Sequence, residues 1–254
     1  MNGRRTLVGL ALLSAFALSA FAVPSMAQAG TGTTAFTCVS GGGAKDFSDS
    51  HCKTSVTPGT GAYGHETITV GTKTAIASTS TLTNITLSGT IATIKVKVTC
   101  TGATGTGFLT NEEPSAGNHT LTGSETEITY TGCDIDLGKA EVTCSLAGGK
   151  IELPGVKAID VESAHGFAMG IKFEPEKGTT FATFTTGADC PNIPNQTFNI
   201  TGSAVGVPNG ATLEFTEATT KPTLSLGGNA ASFTDTDTLT MSGGGNGISV
   251  TTTP

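Results

Sequence analysis

Six cysteines, four histidines and two pairs of closely spaced aspartates carry the chemistry this sequence offers. The cysteines are Cys38, Cys52, Cys100, Cys133, Cys144 and Cys190. An even number of thiols in an exported chain reads as three disulfides. Zinc is the competing chemistry, and no two of these cysteines have the C-x₂₋₄-C spacing of a zinc site. Proximity suggests Cys38 with Cys52. A Cys133–Cys144 bridge across a hairpin would leave Cys100 for Cys190, and spacing alone keeps the connectivity open. Thiols committed to bridges leave no cysteine nucleophile.

The histidines are His51, His65, His119 and His165. None has a His or Cys three or four residues on, so each reads as a turn or surface residue. Nucleophile motifs are equally weak. There is no G-x-S-x-G elbow, and Gly202-Ser-Ala-Val-Gly206 places its serine one position early. Ser50-His-Cys-Lys53 matches S-x-x-K but sits against an expected disulfide instead of opening a helix. Carboxylates remain. Asp134-Ile-Asp136 and Asp235-Thr-Asp237 each put two acids on one face of a strand or turn. Such pairs could hold calcium through hard oxygen ligands or act on glycosidic bonds. The simpler expectation is that all four are solvated turn acids. The sequence implies no cofactor and no transition-metal site.

These residues have to be positioned by strands. The stretch Ile91 to Cys144 organises the rest. In it Ile94, Val96, Val98 and Cys100 alternate with Lys95, Lys97 and Thr99, the period-two pattern of a strand with one buried and one wet face. Cys133 and Cys144 follow on two further short strands, so the cysteines are expected to cross-link a sheet. From Glu66 onward short apolar-alternating runs recur between Gly, Pro and Asn. They predict strands at Thr74–Ser78, Ile91–Cys100, His119–Thr122, Glu125–Cys133, Lys150–Leu153, Lys157–Val161, Thr180–Thr185, Ala230–Phe233, Asp237–Met241 and Ile248–Thr252, among others. No window supplies the long helices that parallel crossovers need. The fold class is therefore all-β, an antiparallel sandwich or barrel-like domain with disulfides. The Thr-x-Thr pairs recur at irregular intervals, against a repeat array.

Residues 1–29 read as a signal peptide. Arg4 and Arg5 precede an apolar run from Leu7 to Val23, and Ala27-Gln28-Ala29 is a small-x-small cleavage site. The run is shorter than the ~20 residues a spanning helix needs, and no later run in the mature chain is long enough to cross. Residues 30–65 read as a small module looped by Cys38 and Cys52, and residues 66–254 as the main all-β domain. The formal charge is −7, and removing Arg4 and Arg5 makes the remainder more acidic. An acidic chain without a basic run has no electrostatic footprint for nucleic acid. Two Tyr and no Trp make a poor sugar-stacking platform.

Several segments carry a family resemblance. They include Val98-Thr-Cys100-Thr-Gly102, Ile128-Thr-Tyr130-Thr-Gly132-Cys133, Cys144 with Gly148-Gly149, and Gly178-Thr-Thr-Phe181-Ala-Thr-Phe184. Asn199-Ile-Thr-Gly202-Ser203-Ala-Val-Gly206 and Asp237-Thr-Leu-Thr-Met-Ser242-Gly243 complete the set. Through them the chain resembles uncharacterised exported, β-rich, Cys-containing proteins of actinobacterial soil lineages, which are high-GC Gram-positive bacteria. The Cys38/Cys52 segment looks like a small module that often precedes such domains. The family places a cysteine directly after its Phe-Ala-x-Phe strand; here Thr185 and Thr186 follow, and the cysteine comes at Cys190. The resemblance implies export and a β-rich fold, and brings no known activity.

The sequence thus points to a secreted or cell-surface, disulfide-stabilised β protein. Its expected role is non-catalytic, binding an extracellular ligand or serving a structural purpose. Two alternatives stand beside it: a secreted hydrolase with a carboxylate-based or distantly assembled site, and a calcium-bound adhesion module.

Overall fold

The structure, a computed structural model, describes residues 33–113, 120–138, 143–162 and 169–252. The leader expected over residues 1–29 lies outside them. The strands run in chain order as β1 (Thr33–Ser40), β2 (Tyr63–Thr67), β3 (Thr74–Ser80), β4 (Ile85–Ile91), β5 (Ile94–Cys100), β6 (Gly102–Asn111), β7 (Leu121–Thr131), β8 (Asp134–Asp136), β9 (Thr143–Ser145) and β10 (Lys150–Glu162). Then come β11 (Met169–Pro175), β12 (Thr180–Thr185), β13 (Thr197–Gly202), β14 (Ala204–Asn209) and β15 (Thr212–Phe215). A single helical turn, α1 (Glu217–Thr220), precedes β16 (Leu224–Leu226), β17 (Asn229–Ala230), β18 (Ser232–Met241) and β19 (Ile248–Thr252).

Eight strands close a barrel. Its order is β3-β6-β7-β10-β11-β14-β15-β18, with β18 pairing back onto β3, and every pairing is antiparallel. Neighbours in the barrel follow one another in the chain. Closure removes the open edges that would otherwise template aggregation. Alternation drives it: Ile151, Leu153, Val156, Ala158, Ile171, Phe173, Leu213 and Phe215 turn inward and are buried.

The alternation slips in places, and those slips explain why the sequence reading divided long strands. In β7, Thr106 pairs with Glu127 and Gly107 with Glu125, so Thr126 is the extra residue of a bulge. In β10 the inward set changes phase at Gly155, which has φ 64°. In β18 the inward face carries acids instead of apolar residues. The runs predicted at His119–Thr122 and Glu125–Cys133 are parts of one strand, as are the two parts of β10 and of β18. Ile91–Cys100, predicted as a single strand, is the end of a hairpin. Ile91 pairs with Ile94 around Ala92-Thr93, and Ala92 takes a positive φ without glycine to announce it.

The connections reveal the organisation. Every second connection of the barrel carries an excursion: β4–β5 between β3 and β6, β8–β9 between β7 and β10, β12–β13 between β11 and β14, and α1–β16–β17 between β15 and β18. Because barrel strands alternate in direction, all four excursions leave from the same end. There they join into a ring. β5 pairs with β8, Leu146 bridges to Thr186, β13 pairs with β16, and β4 pairs with the start of β18. This ring caps the barrel.

Two disulfides staple the cap. Cys100 bonds Cys133, and Cys144 bonds Cys190. The expected Cys133–Cys144 and Cys100–Cys190 pairs are therefore corrected. The register gives the reason. Thr99 stands opposite Asp134, which sets Cys100 against Cys133, whereas Cys144 faces Ile135. Each bridge joins one excursion to the next. The third disulfide, Cys38–Cys52, matches the proximity expectation.

The opposite end is closed by β1, which lies between β2 and β19. The boundary drawn between residues 65 and 66 falls inside β2. Asn111, buried at the end of β6, accepts from the Ala35 N–H at 2.9 Å and donates to the carbonyls of Ala35 (3.0 Å) and Ile68 (2.8 Å). Buried Asp160 accepts from Thr120 Oγ1 and from the Leu121 N–H. Polar side chains thus supply backbone partners where β1 and its flanking chain cross the base without a barrel neighbour.

Candidate functional site

Between the barrel and its cap lies a cavity of about 70 Å³. Its walls are apolar, among them Leu87 and Val98 from the cap and Leu153, Phe173, Leu213 and Phe215 from the barrel. Four aromatic rings run in sequence through this region. Phe173 lies 5.5 Å from Phe215, Phe215 5.5 Å from Phe233, and Phe233 5.7 Å edge-on to Tyr130.

Into this apolar space project acids from β7 and β18. The bulge at Thr126 decides the first. It keeps Glu125 in the inward phase of Leu121 and lets Ile128 and Tyr130 resume that phase above it. Gly107, opposite the bulge, admits the close approach: a Cβ there would stand 2.3 Å from the Ser124 carbonyl oxygen. Gly105 likewise leaves room, since its Cβ would stand 2.4 Å from Ser78 Oγ. Ser78 Oγ donates to Glu125 Oε1 at 3.3 Å. On β18, Asp235 and Asp237 lie two residues apart. Asp235 is 1% exposed; its Oδ1 accepts from Ser80 Oγ (2.5 Å) and from the Thr236 N–H (2.7 Å). Its Oδ2 is buried and has no hydrogen-bond partner among the described residues. Asp237 lines the cavity with Glu125, Ser78 and Tyr130.

Among the described residues, no lysine, arginine or histidine lines the cavity. The acids respond as physics requires. Burial pushes Glu125 up to about 7, only partly offset by the Ser78 bond. Asp237 is raised well above the ordinary carboxylate range by burial and by the negative charges of Asp235 and Glu125. Burial also raises Asp235, against the bonds from Ser80 and Thr236. Tyr130 is raised by burial and then by Asp237, Asp235 and Glu125.

Asp235 and Asp237 were expected to be solvated turn acids; they sit inside a barrel strand. The turn assignment fails because β18 is continuous through them, so their shared face is the interior. Asp134 and Asp136 are exposed, flanking fully buried Ile135 at the edge of the cap. The two acid pairs are not brought together, and among the described residues no three His, Cys, Asp or Glu side chains form a metal-holding group. Asp136 instead lines an open groove of mixed polarity and about 600 Å³ on the outer face of the cap, with Ser88, Lys95, Lys97, Glu217 and Lys221.

The two described histidines lie in the base. His65 is stacked between Phe36 (4.9 Å) and Phe47 (4.7 Å), and burial lowers its pKa despite nearby Asp46. His51 Nδ1 is 3.4 Å from Ser50 Oγ. His119 and His165 lie outside the described residues. Neither described histidine reaches the cavity, so among the described residues it offers no histidine–acid–nucleophile cluster.

Glu125, Tyr130, Ser78 and the aromatic run went unrecognised in the sequence. One signal was available. Glu125 continues the inward phase of Leu121 and Gly123, and Asp237 that of Leu239, so each acid occupies an apolar position of its strand. No family model, no curated protein and no solved structure matches the chain. Fold and site define a disulfide-rich, capped eight-stranded antiparallel β-barrel with an acid-lined internal cavity.

Proposed function

We propose that the chain is an exported binding protein that encloses a small ligand between barrel and cap. The carrying observation is the cavity itself: apolar walls with a few convergent polar groups of strongly shifted pKa are the signature of a ligand pocket. Export is supported by the leader-like Leu7–Val23 run and by three disulfides, which persist in oxidising compartments. Among the described residues no helix is long and apolar enough to cross a membrane. A cavity of about 70 Å³ is too small for even one sugar ring, so it lends no support to a hydrolase acting on glycosidic bonds. A thermal-shift screen of compounds with about six or fewer non-hydrogen atoms tests the reading, since ligand binding raises Tm by mass action. Binders should act on the wild type and fail on Ala204→Leu, which fills the cavity wall. A screen without a single binder would sink it.

A second reading is supported by the outer groove. Lys95 and Lys97 of β5 line this groove of about 600 Å³ and take part in no ion pair among the described residues. They would suit an anionic extracellular polymer at the cell surface. Lys95→Glu with Lys97→Glu should then abolish capture by polyanion resin, and unchanged capture removes the reading.

A further inference from the structure

We propose that the cavity takes a small organic ammonium ion, with its charge beside Asp237 and Glu125 and its hydrocarbon against the aromatic run. The inference rests on the ligand-enclosing reading and names the class of ligand.

Charge comes first. Two carboxyl groups, Glu125 and Asp237, line an apolar cavity, and among the described residues no cationic side chain lines it with them. Buried acids of native proteins are normally paired or hydrogen-bonded. Asp235, two residues from Asp237 on β18, adds a third buried acid, whose Oδ2 has no hydrogen-bond partner among the described residues. A donor carrying positive charge is the partner that the described lining of the cavity lacks. An anionic ligand would find no cationic group there to meet it.

Shape distinguishes an organic cation from a metal ion. The acids border a cavity without converging on a point, and no metal-holding group is found among the described residues. At 10–15 Å³ for each water-sized group, a cavity of about 70 Å³ holds roughly five or six non-hydrogen atoms. That is the size of a short alkylammonium or tetramethylammonium ion.

The walls agree. Tyr130, Phe233, Phe215 and Phe173 form an unbroken series of ring contacts beside the acids. Aromatic faces attract ammonium groups through their quadrupoles, and clustered rings are the usual cage for alkylated ones. A neutral apolar ligand would use the rings and leave the acids unexplained.

Binding must be linked to protons. Burial favours the protonated forms of Glu125 and Asp237, and a cation favours their ionised forms. Cation binding therefore releases protons. Affinity should rise with pH through the range near 7 in which Glu125 titrates. The other described titratable groups facing the cavity are Asp237 and Tyr130, with Asp235 two residues before Asp237; among the described residues no base opposes them.

The test is calorimetry and thermal shift on the secreted, disulfide-intact protein at about pH 7.5. The probes are n-butylammonium, tetramethylammonium and neutral n-butanol, with sodium chloride as ionic control. The expected result is saturable binding of one or both ammonium ions, proton release that varies with buffer ionisation enthalpy, and at least about tenfold weaker binding of n-butanol. Asp237→Asn should weaken ammonium binding by about tenfold or more, and Asp235→Asn should act in the same direction. Both replace a buried acid with its neutral isostere, so their melting temperatures should hold or rise, separating lost binding from lost fold. Equal binding of n-butanol and n-butylammonium overturns the cation and leaves the enclosing barrel standing. So does ammonium binding that Asp237→Asn leaves unchanged. No binding of any probe overturns the cation, and the small-compound screen then decides the enclosing reading.

Discussion

Replacing Glu125 with glutamine should change how stability depends on pH. Burial raises Glu125 from 4.5 to about 7. A shift of that size corresponds to about 3.4 kcal/mol. Because the folded-state pKa is the higher one, folding favours the protonated form. The stabilising contribution is complete below the unfolded value near 4.5 and is lost as pH rises through about 7. Between pH 4.5 and 8 the wild type should therefore lose about 3 kcal/mol that Glu125→Gln keeps. Gln can still accept from Ser78 Oγ, so the variant removes the charge and little else. Asp235 and Asp237 remain in both proteins, and Asp237 is itself raised partly by Glu125, so the substitution eases its ionisation as well. The difference should thus be no smaller than the value for Glu125 alone. For a domain of this size it corresponds to roughly 7–14 °C in Tm at the alkaline end. Urea melts without reductant, taken at intervals of pH across this window, measure it. Wild-type and variant curves that stay parallel from pH 4.5 to 8 would refute the burial argument.

Removing Cys100 and Cys133 together as serines should cost about 3.7 kcal/mol, the chain-entropy value for a separation of 33 residues; urea melts give the loss, and non-reducing peptide maps check the pairing. Gly107→Ala should lower stability by about 1–3 kcal/mol, because a Cβ there meets the Ser124 carbonyl and the Glu125 Cα at the bulge; a melting temperature equal to wild type would show that the bulge relaxes freely. Asn111→Ala should cost about 3 kcal/mol, since it strips three hydrogen bonds from the buried backbone of Ala35 and Ile68. Hydrogen exchange should then quicken in β1 and stay slow in β10, and uniform quickening would contradict a local role at the base.

Much of this molecule was legible in its sequence. Alternation in segments such as Ile94–Cys100 sets an extended backbone with one buried face, because side chains on a strand point to opposite sides. Thr180–Thr185 and Ile248–Thr252 were readable to the residue, each bounded by turn formers. The even set of six cysteines read as three disulfides for a chemical reason independent of the fold. The tertiary structure decided what depends on register and closure. The partner of Cys100 follows from β8 lying opposite β5, which no spacing announces. Whether Asp235 and Asp237 are wet or buried follows from β18 completing a barrel, since the same i, i+2 pair on an exposed turn would be solvated. Glu125 became a cavity acid through one extra residue at Thr126 and two facing glycines. Local periodicity specifies two faces for each strand. Only the closed circuit of eight strands, with its cap drawn from alternate connections, decides which face is inside and which acids share it.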